Sequence, residues 1–472
     1  MLKKNQYIIL FIIIILIRVI LTYLTPLAAD ESYYLLWASH LDLSYVDHPG
    51  MVSWINYLFI LIFREPLLAI RTASLTLLLF TLFFIYKTAS VYLSNKESIW
   101  KILILFVLIP YNFFFGITMQ VEQPLLLFSS ACIYLFVKLI KTENKKYLYG
   151  LGLTTGLGLL SKYTFILLPL FIFLYILFNN KLRKTLISVE FILSFFLALV
   201  ILLPLLIWNY QHDYISFLFH TRRLGTEPFF KYTLTFLSDQ LLYFSPIMLY
   251  YLIKAYRKKN NLYLDIAHFF VSSFFIFSIF FTLSIITKVW GHWTAIMFIP
   301  FSIYIGIKLE SSLNSIIRSQ LIFNILLTFA LLFTGPSVIS LHDAYQNNYK
   351  IVQDVNKIQQ VYKSHLPIYA DLHGSVGLLS YYLKQTILFP EGEFKGQGVW
   401  GQNQFELWNN TTINLGDSIL YFTYPTPEIL LKLQIYFNKV SVYPEPKLTL
   451  MEGYINKYRF ILCSEAKYSF VF

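Results

Sequence analysis

The run LISVEFILSFFLALVILLPLLIW, residues 186–208, is long enough to cross a bilayer as one helix, since the hydrocarbon core is about 30 Å thick. Similar apolar runs occupy Tyr7–Leu24, Leu67–Leu93 and Leu262–Ile286. Of the 472 residues, 57% are hydrophobic and only 13% are charged, and the mean hydropathy of +0.61 is far from that of a soluble domain. The sequence therefore predicts a polytopic α-helical membrane protein.

The charge pattern predicts which loops face the cytoplasm. The formal net charge is +12, and the basic residues lie mostly in short loops between the apolar runs, which argues against nucleic-acid binding. By the positive-inside rule the following loops are cytoplasmic: Asn95–Lys101, Lys141–Lys146, Asn179–Lys184, Lys254–Asn261 and Lys308–Arg318. About eleven transmembrane helices follow, with the N-terminus inside and the C-terminus outside.

This topology requires a helical hairpin, formed by Tyr147–Leu160 and Tyr163–Phe178, with Lys162 at its outer tip. Ionisable groups such as Lys162 sit within a turn or two of an apolar run, where they are costly without a partner or a task. Outer loops are also commonly polar. These side chains can therefore be interpreted as a functional site or as ordinary loop residues, and both interpretations stay open. The polar side chains that the topology places outside are Asp30, Glu31, Asp47, His48, Glu122, Lys162, Gln211, His212, Asp213, Arg222, Arg223, Lys288 and His292.

The composition changes after the last apolar run, Leu321–Val338, which we expect to be the last spanning helix. We divide the chain into a membrane domain, residues 1–340, and a soluble α/β domain, residues 341–472. A domain of roughly 130 residues can bury its own core. Short apolar runs alternate with turns there, which is typical of strands and helices. We predict strands at Pro367–Leu372, Ser418–Thr423 and Val440–Tyr443, and helices at Val376–Leu383 and Pro425–Phe437.

The first outer loop, residues 25–55, contains LAADESYYLLWASHLDLSYVDHPGMVSWI and is dense in groups capable of chemistry. Asp30 and Glu31 begin a segment that we expect to be helical, with Tyr34, Trp37 and Leu41 on one stripe. Paired carboxylates suit base catalysis, but negative charge is also favoured at a plain helix N-terminus. The loop is therefore the candidate catalytic segment, with both interpretations of the acidic pair open.

The stretch from Asp30 to Ile55 resembles the first outer loop of glycosyltransferase family 39 in the GT-C superfamily, whose members include protein O-mannosyltransferases and the lipid A aminoarabinose transferase. Further segments resemble the family in the same order: MQVEQPLLLF at 119–128, GLLSKYTFILLP at 158–169, LPLLIWNYQHDYISFLFHTRR at 203–223, KVWGHWTAIMFIP at 288–300, and in the tail ADLHGSVGLLSYYL and QNQFELWNN.

The resemblance implies an inverting glycosyltransferase of the bacterial inner membrane with its active site facing the periplasm. The donor would be a sugar on a polyprenyl (undecaprenyl) phosphate, and the acceptor a hydroxyl or phosphate of lipid A or another envelope glycan. Asp30 matches the catalytic carboxylate, with Glu31 beside it. Candidates to hold the donor phosphate are Lys288, Lys162, Arg222, Arg223 and His48, with Lys288 first.

The resemblance also suggests a divalent metal. Asp47 and His292 match the expected ligand positions, and a carboxylate with an imidazole suits zinc or manganese. Glu122 stands where the family usually has an aspartate. Two further functions stay open: transfer of the sugar to protein, as in protein O-mannosyltransferases, and a lipid flippase or transporter.

Overall fold

The computed structural model describes residues 6–221, 229–258, 263–334, 366–390, 402–408, 412–443 and 459–472, together with positions 352, 355, 356, 359 and 360. The chain forms two compact units. The first unit comprises Met1–Thr22 and Asp42–Leu327, and the second comprises Tyr23–Leu41 and Thr328–Phe472. The early segment that contains Asp30 thus packs with the C-terminal part of the chain. The domain boundary near residue 340 stays a prediction.

The first unit is helical, and α1 and α15 run slightly past its limits. Short 3-10 or π turns join some of the helices. The helices are α1 (Gln6–Leu24), α3 (Met51–Phe63), α4 (Pro66–Ala89), α5 (Lys96–Leu108), α6 (Glu122–Thr142), α7 (Tyr147–Ser161), α8 (Leu167–Phe178), α9 (Val189–Gln211), α10 (Ile215–Thr221), α11 (Phe229–Tyr243), α12 (Pro246–Arg257), α13 (Tyr263–Ser284), α14 (Phe298–Lys308) and α15 (Leu313–Thr334).

The membrane class predicted from hydropathy is confirmed. Within the described residues, six helices are long and apolar enough to cross a bilayer: α1, α4, α6, α9, the Ile266–Ser284 part of α13, and Glu310–Ala330. Met51–Phe63 and Tyr163–Phe178 are shorter apolar helices, below the usual spanning length. The count of about eleven crossings stays a prediction.

Hydropathy predicts the end of α7 correctly but places the start of α15 too late. The hairpin is confirmed, because α7 ends at Ser161 and Lys162 adopts an extended backbone before the chain turns back. The last helix was expected over Leu321–Val338, but it already begins at Leu313. Its first turns interleave polar residues with a buried stripe that includes Leu313, Ile316 and Gln320, and this polarity lowers the hydropathy average without breaking the helix.

Helices α7 and α9 approach closely because small residues line their contact. A Cβ atom added to Gly152 would collide with the backbone carbonyl of Ser194, and its distance from the Ser194 carbonyl carbon would be 2.8 Å. One turn further, a Cβ at Gly156 would lie 2.7 Å from Ile201 Cβ. Small residues four apart let helix backbones pack directly in a bilayer, where lipid offers no hydrophobic drive for association.

We expect Gly152→Ala to lower the free energy of unfolding by about 1–3 kcal/mol, the usual cost of overpacking, because backbone atoms cannot move aside. The matched control is Gly150→Ala on the same helix, whose Cβ would meet the flexible end of Leu135 at 2.9 Å. That control should be neutral or stabilising, since alanine is the better helix former. Thermal unfolding of both purified variants measures this, and equal shifts would contradict the backbone contact.

The second unit contains α2 (Ala29–Ser39) and an α/β part. The strands are β1 (Ile368–Ala370), β2 (Thr412–Ile413), β3 (Ile419–Thr423), β4 (Phe437–Val442), β5 (Arg459–Ala466) and β6 (Phe470–Val471), and the helices are α16 (His373–Leu383), α17 (Gln402–Trp408) and α18 (Pro427–Tyr436). The four-stranded sheet has the order β1-β3-β5-β4, and β2 pairs with β6.

The sheet is mixed. Strand β1 is parallel to β3 with Tyr369 opposite Tyr421, and β5 is antiparallel to both β3 and β4. The three predicted strands and two predicted helices are confirmed within a few residues, and Thr426 caps α18 by accepting a hydrogen bond from Ile429 N at 3.2 Å. Strand β5 was missed, although it is internal to the sheet and its residues Phe460–Ser464 are all buried.

Candidate functional site

The first unit brings Glu122 and Lys162 together in a buried ion pair. Glu122 is the first residue of α6, and Lys162 directly follows α7. Lys162 Nζ lies 2.5 Å from Glu122 Oε1, and their side chains are only 4% and 5% exposed. His292 Nε2 lies 3.7 Å from the same oxygen, and its side chain is 33% exposed. Two cation-capable groups therefore converge on one carboxylate.

The backbone just before Glu122 is held by two buried arginines. The Arg18 guanidinium on α1 donates to the carbonyl oxygens of Asn112 and Gly116. Arg71 on α4 donates to Ile117 O at 3.3 Å. Each arginine lies inside an apolar run, and sequence reasoning missed both. The sequence does show an arginine within each of these apolar runs, and a cation within a spanning helix needs a partner.

A second polar cluster in the first unit joins residues 42–54 to the end of α9 and to α10. Trp208 Nε1 donates to Asp42 Oδ2 at 2.8 Å, and Trp54 Nε1 donates to Asp42 O at 2.8 Å. His220 Nε2 lies 2.9 Å from Asp47 O, so the Asp47 backbone takes part in this cluster. The His48 and His220 ring centroids are 6.1 Å apart.

Lys288 lies on an exposed surface of the same unit. Its Nζ is 3.8 Å from the centroid of the Trp290 ring, which is the geometry of a cation–π contact. The neighbouring Gly291 N donates to Asp239 Oδ2 at 3.2 Å. Asp239 was not among the predicted site residues, because nothing in its local sequence on α11 distinguishes it from a surface carboxylate.

The structure therefore brings Glu122, Lys162 and His292 together, whereas the contacts described for Asp47 and Lys288 are with His220 and Trp290. Arg222 and Arg223 lie outside the described residues. Across the described ranges, no group of three or more His, Cys, Asp or Glu side chains could hold a metal ion. The zinc or manganese site predicted from Asp47 and His292 has only two such side chains and stays a prediction, and the described ionic contact of His292 is with Glu122.

The second unit contains the acidic pair on the first turn of α2, and the two carboxylates differ sharply. Glu31 is fully buried, and its Oε2 accepts a hydrogen bond from Ala28 N at 3.3 Å, as a residue capping its own helix does. The Asp30 side chain is 53% exposed, and its Oδ1 lies 3.0 Å from His373 Nε2. Asp30 is thus the accessible carboxylate of the pair.

The aromatic stripe predicted on α2 is partly confirmed. Tyr34 is 6% exposed and Trp37 is fully buried. Leu41 is 44% exposed because the helix ends at Ser39 and the chain leaves the helical path at His40. The stripe packs, as aromatic stripes on helices usually do, and no binding role is needed to explain it.

Asp371 is a buried carboxylate at the carboxyl end of β1. Its Oδ2 accepts a hydrogen bond from Thr423 Oγ1 at 2.6 Å. Burial raises the pKa of Asp371 to about 6, and the hydrogen bond from Thr423 opposes that rise. The folded state therefore holds a proton at a pH where an unfolded aspartate has lost it.

This shift predicts a pH-dependent stability. Since the pKa of Asp371 is raised in the folded state, the protonated carboxyl stabilises the fold. This stabilisation is fully present below about pH 4 and is lost as the pH rises through about 6. Asp371→Asn should remove the loss and raise the free energy of unfolding at pH 7.5 by up to about 3 kcal/mol, because two pKa units correspond to about 2.7 kcal/mol.

Thermal unfolding of the full chain at pH 5 and pH 7.5 measures the Asp371 effect. The matched control is Asp417→Asn, in which the changed carboxylate accepts a hydrogen bond from Asn414 N in an exposed turn. The control should keep the wild-type difference between the two pH values. If Asp371→Asn also keeps it, Asp371 is not the group that titrates.

Comparison with known proteins relates the chain to membrane glycosyltransferases. Residues 47–208 match the family model described as dolichyl-phosphate-mannose-protein mannosyltransferase. The lipopolysaccharide core galacturonosyltransferase RgtA of Rhizobium johnstonii is 26% identical over 200 residues, which cover 42% of this chain and 40% of the relative. Undecaprenyl phosphate-alpha-4-amino-4-deoxy-L-arabinose arabinosyl transferase 1 of Proteus mirabilis is 31% identical over 141 residues, which cover 28% of this chain and 25% of the relative.

Solved structures match over nearly the whole chain. The crystal structure of ArnT from Cupriavidus metallidurans bound to undecaprenyl phosphate has a TM-score of 0.66 at 12% identity, covering 97% of this chain and 98% of that one. The apo structure has a TM-score of 0.63 at 13% identity, covering 98% of each chain. The chain therefore has the GT-C fold, as predicted. The predicted resemblance to glycosyltransferase family 39 is confirmed by these matches and by the family model over residues 47–208.

Proposed function

We propose that this chain is an inverting glycosyltransferase that moves a monosaccharide from an undecaprenyl phosphate carrier to an acceptor of the cell envelope. The observation that carries the proposal is the buried ion pair of Glu122 and Lys162 with the partly exposed His292 beside it. The chain that holds this pair has the fold of a protein crystallised with undecaprenyl phosphate. Buried ionisable groups at the end of a spanning helix are costly, and they are typical of functional sites.

Asp30 is the proposed general base. Its carboxylate accepts the proton of the acceptor hydroxyl while that oxygen attacks the anomeric carbon. The bond between the anomeric carbon and the phosphate oxygen breaks in the same displacement, so the configuration inverts and the lipid phosphate leaves with the bond electrons. The exposure of Asp30 supports this role, whereas the buried Glu31 suits a supporting role at the start of α2.

The leaving phosphate requires positive charge close by. We assign this role first to Lys288, since its ammonium group is exposed and lies over an aromatic ring. The charge of Lys162 is already balanced by Glu122, so a phosphate at Lys162 would have to share it. Arg222, Arg223 and His48 complete the proposed set.

The names of the curated relatives support an envelope acceptor. One relative is a lipopolysaccharide core galacturonosyltransferase, and the other is an undecaprenyl phosphate-linked arabinosyl transferase. The matched parts span only 40% and 25% of those proteins, so the acceptor is part of the proposal. We propose lipid A or another envelope glycan, met at the periplasmic face of the bacterial inner membrane.

Two contacts support the proposed orientation of the first unit. The pair Glu122–Lys162 lies where α6 begins and α7 ends, and the basic loops lie at the opposite ends of those helices. Ser98 Oγ donates to Glu310 Oε1 at 2.6 Å, which joins two of the basic loops to each other. The Glu122–Lys162 pair and the basic loops thus lie at opposite ends of α6 and α7. If the basic loops are cytoplasmic, the pair lies on the outer side, which supports the proposed topology.

Reconstitution of the full chain in liposomes tests the proposed function. Radiolabelled undecaprenyl phosphate sugars are supplied with separated lipid A, glycan and protein fractions of an envelope extract. Label in the lipid A or glycan fraction is expected. Label in protein alone would favour a protein O-mannosyltransferase-type reaction, and movement of the labelled lipid across the bilayer without transfer would favour a flippase or transporter.

A further inference from the structure

We infer that His373 is a positioning residue that orients the carboxylate of Asp30 for base catalysis. This inference rests on the proposed function, because it assigns a partner to the proposed base. Both residues belong to the second unit, although 343 positions separate them in the sequence. His373 was not a predicted site residue. Its segment ADLHGSVGLLSYYL was noted only for its resemblance to the family's soluble domain.

The contact itself is well formed. His373 Nε2 lies 3.0 Å from Asp30 Oδ1, within the normal range for an N–H···O hydrogen bond. The His373 side chain is 18% exposed and that of Asp30 is 53% exposed. The histidine is thus largely covered while the carboxylate remains accessible to an acceptor. Because an ionised carboxylate only accepts hydrogen bonds, Nε2 carries the proton in this contact.

The position of His373 is fixed by direct packing of backbones. His373 is the first residue of α16, and a Cβ added to Gly374 would lie 2.6 Å from Ala29 Cβ. One turn later, a Cβ at Gly377 would lie 2.6 Å from the carbonyl carbon of Ser32. The two glycines let α16 contact the first turn of α2, which carries Asp30, so the imidazole is placed by rigid elements.

Two further contacts orient the ring and the helix. The His373 ring meets the Tyr33 ring edge-on with centroids 5.1 Å apart. Ser32 Oγ lies 2.6 Å from Ala29 O in its own helix and 3.2 Å from Gly374 O, so the two carbonyl oxygens share its one donor. Besides Asp30 and His373, the titratable groups of these segments are Glu31, Tyr33 and Tyr34 on α2, Tyr381 and Tyr382 on α16, and Asp371 just before α16. Of these, Asp371 has its pKa raised by burial.

The hydrogen bond has two consequences for a general base. It fixes the plane of the carboxylate, and a misplacement of about 1 Å at a reacting group can cost about 100-fold in rate. It also stabilises the ionised form of the base, so its removal shifts protonation of Asp30 to higher pH. A histidine that only joined α16 to α2 would produce neither effect.

His373→Phe keeps a ring against Tyr33 and removes the donor. In the reconstituted full chain we expect kcat to fall about 10- to 100-fold with KM for the lipid donor within about twofold of wild type. The acidic limb of the kcat profile should move to higher pH. His373→Gln, whose amide nitrogen can take the place of Nε2, should restore most of the activity, whereas the shorter His373→Asn should not.

The control for a purely structural role is Ser32→Ala, which removes the contact of Ser32 Oγ with Gly374 O between α2 and α16 and leaves Asp30 untouched. It should lower thermal stability and leave kcat and the pH profile unchanged. Comparison of His373→Asn with His373→Gln keeps the test decisive if the phenylalanine variant fails to fold. If His373→Gln and His373→Asn both lose activity, or if neither does, the inference is wrong.

Asp30→Asn separates this inference from the proposed function. If Asp30→Asn abolishes transfer and His373→Phe leaves kcat and its pH profile at wild-type values, the inference is wrong and the proposed function stands. If Asp30→Asn transfers as fast as wild type, the base assignment fails and the role of His373 fails with it. On the Asp30→Asn background, His373→Phe should cause no further loss, because its effect passes through that carboxylate.

Discussion

Asp30→Asn is expected to reduce sugar transfer by about 10²- to 10⁴-fold, the range that general base catalysis contributes. Asparagine keeps the size of the side chain and still offers an oxygen to His373 Nε2, but it cannot take a proton from the acceptor hydroxyl. The fold should persist, because the Asp30 side chain is 53% exposed. Steady-state kcat with a radiolabelled undecaprenyl phosphate sugar in proteoliposomes measures the loss.

Binding of the lipid donor should survive the Asp30→Asn change, since the proposed phosphate contacts come from other residues. Asp417→Asn is the matched control, because it makes the same chemical change at an exposed carboxylate of the same unit and should transfer at the wild-type rate. Retention of wild-type kcat by Asp30→Asn would show that Asp30 is structural. Loss of both transfer and donor binding would instead place Asp30 in the donor site.

Local patterns in the sequence were enough to predict the membrane class and much of the second unit. Apolar runs report spanning helices directly, since length and hydropathy are local properties. The hairpin tip at Lys162 followed from counting basic loops, and the structure has the turn there. In the α/β part, strands β1, β3 and β4 were found because each is a short apolar run bounded by turn residues.

Long-range pairings could not be predicted in the same way. Nothing near Asp30 indicates that its partner is His373, and nothing near Glu122 indicates Lys162, because each pair is made by helix packing. The same limit explains the assignment of residues 23–41, which were expected to belong with the membrane domain but pack with the C-terminal part. Strand β5 was missed because its apolar run RFILC is short and lies next to charged residues.

Removal of one member of the Glu122–Lys162 pair is expected to destabilise the chain by about 3–5 kcal/mol, the usual cost of leaving one buried charge without its partner. Lys162→Met and Glu122→Gln are the two single changes, and both preserve approximate side-chain volume. The double variant should lose less than the sum of the two, since it leaves neither charge behind. The unfolding free energies of wild type, the two single variants and the double variant, measured in the same detergent, give the coupling free energy between Glu122 and Lys162.

Additive losses in the double variant would contradict the expected coupling. They would mean that Glu122 and Lys162 act on stability independently despite their 2.5 Å contact.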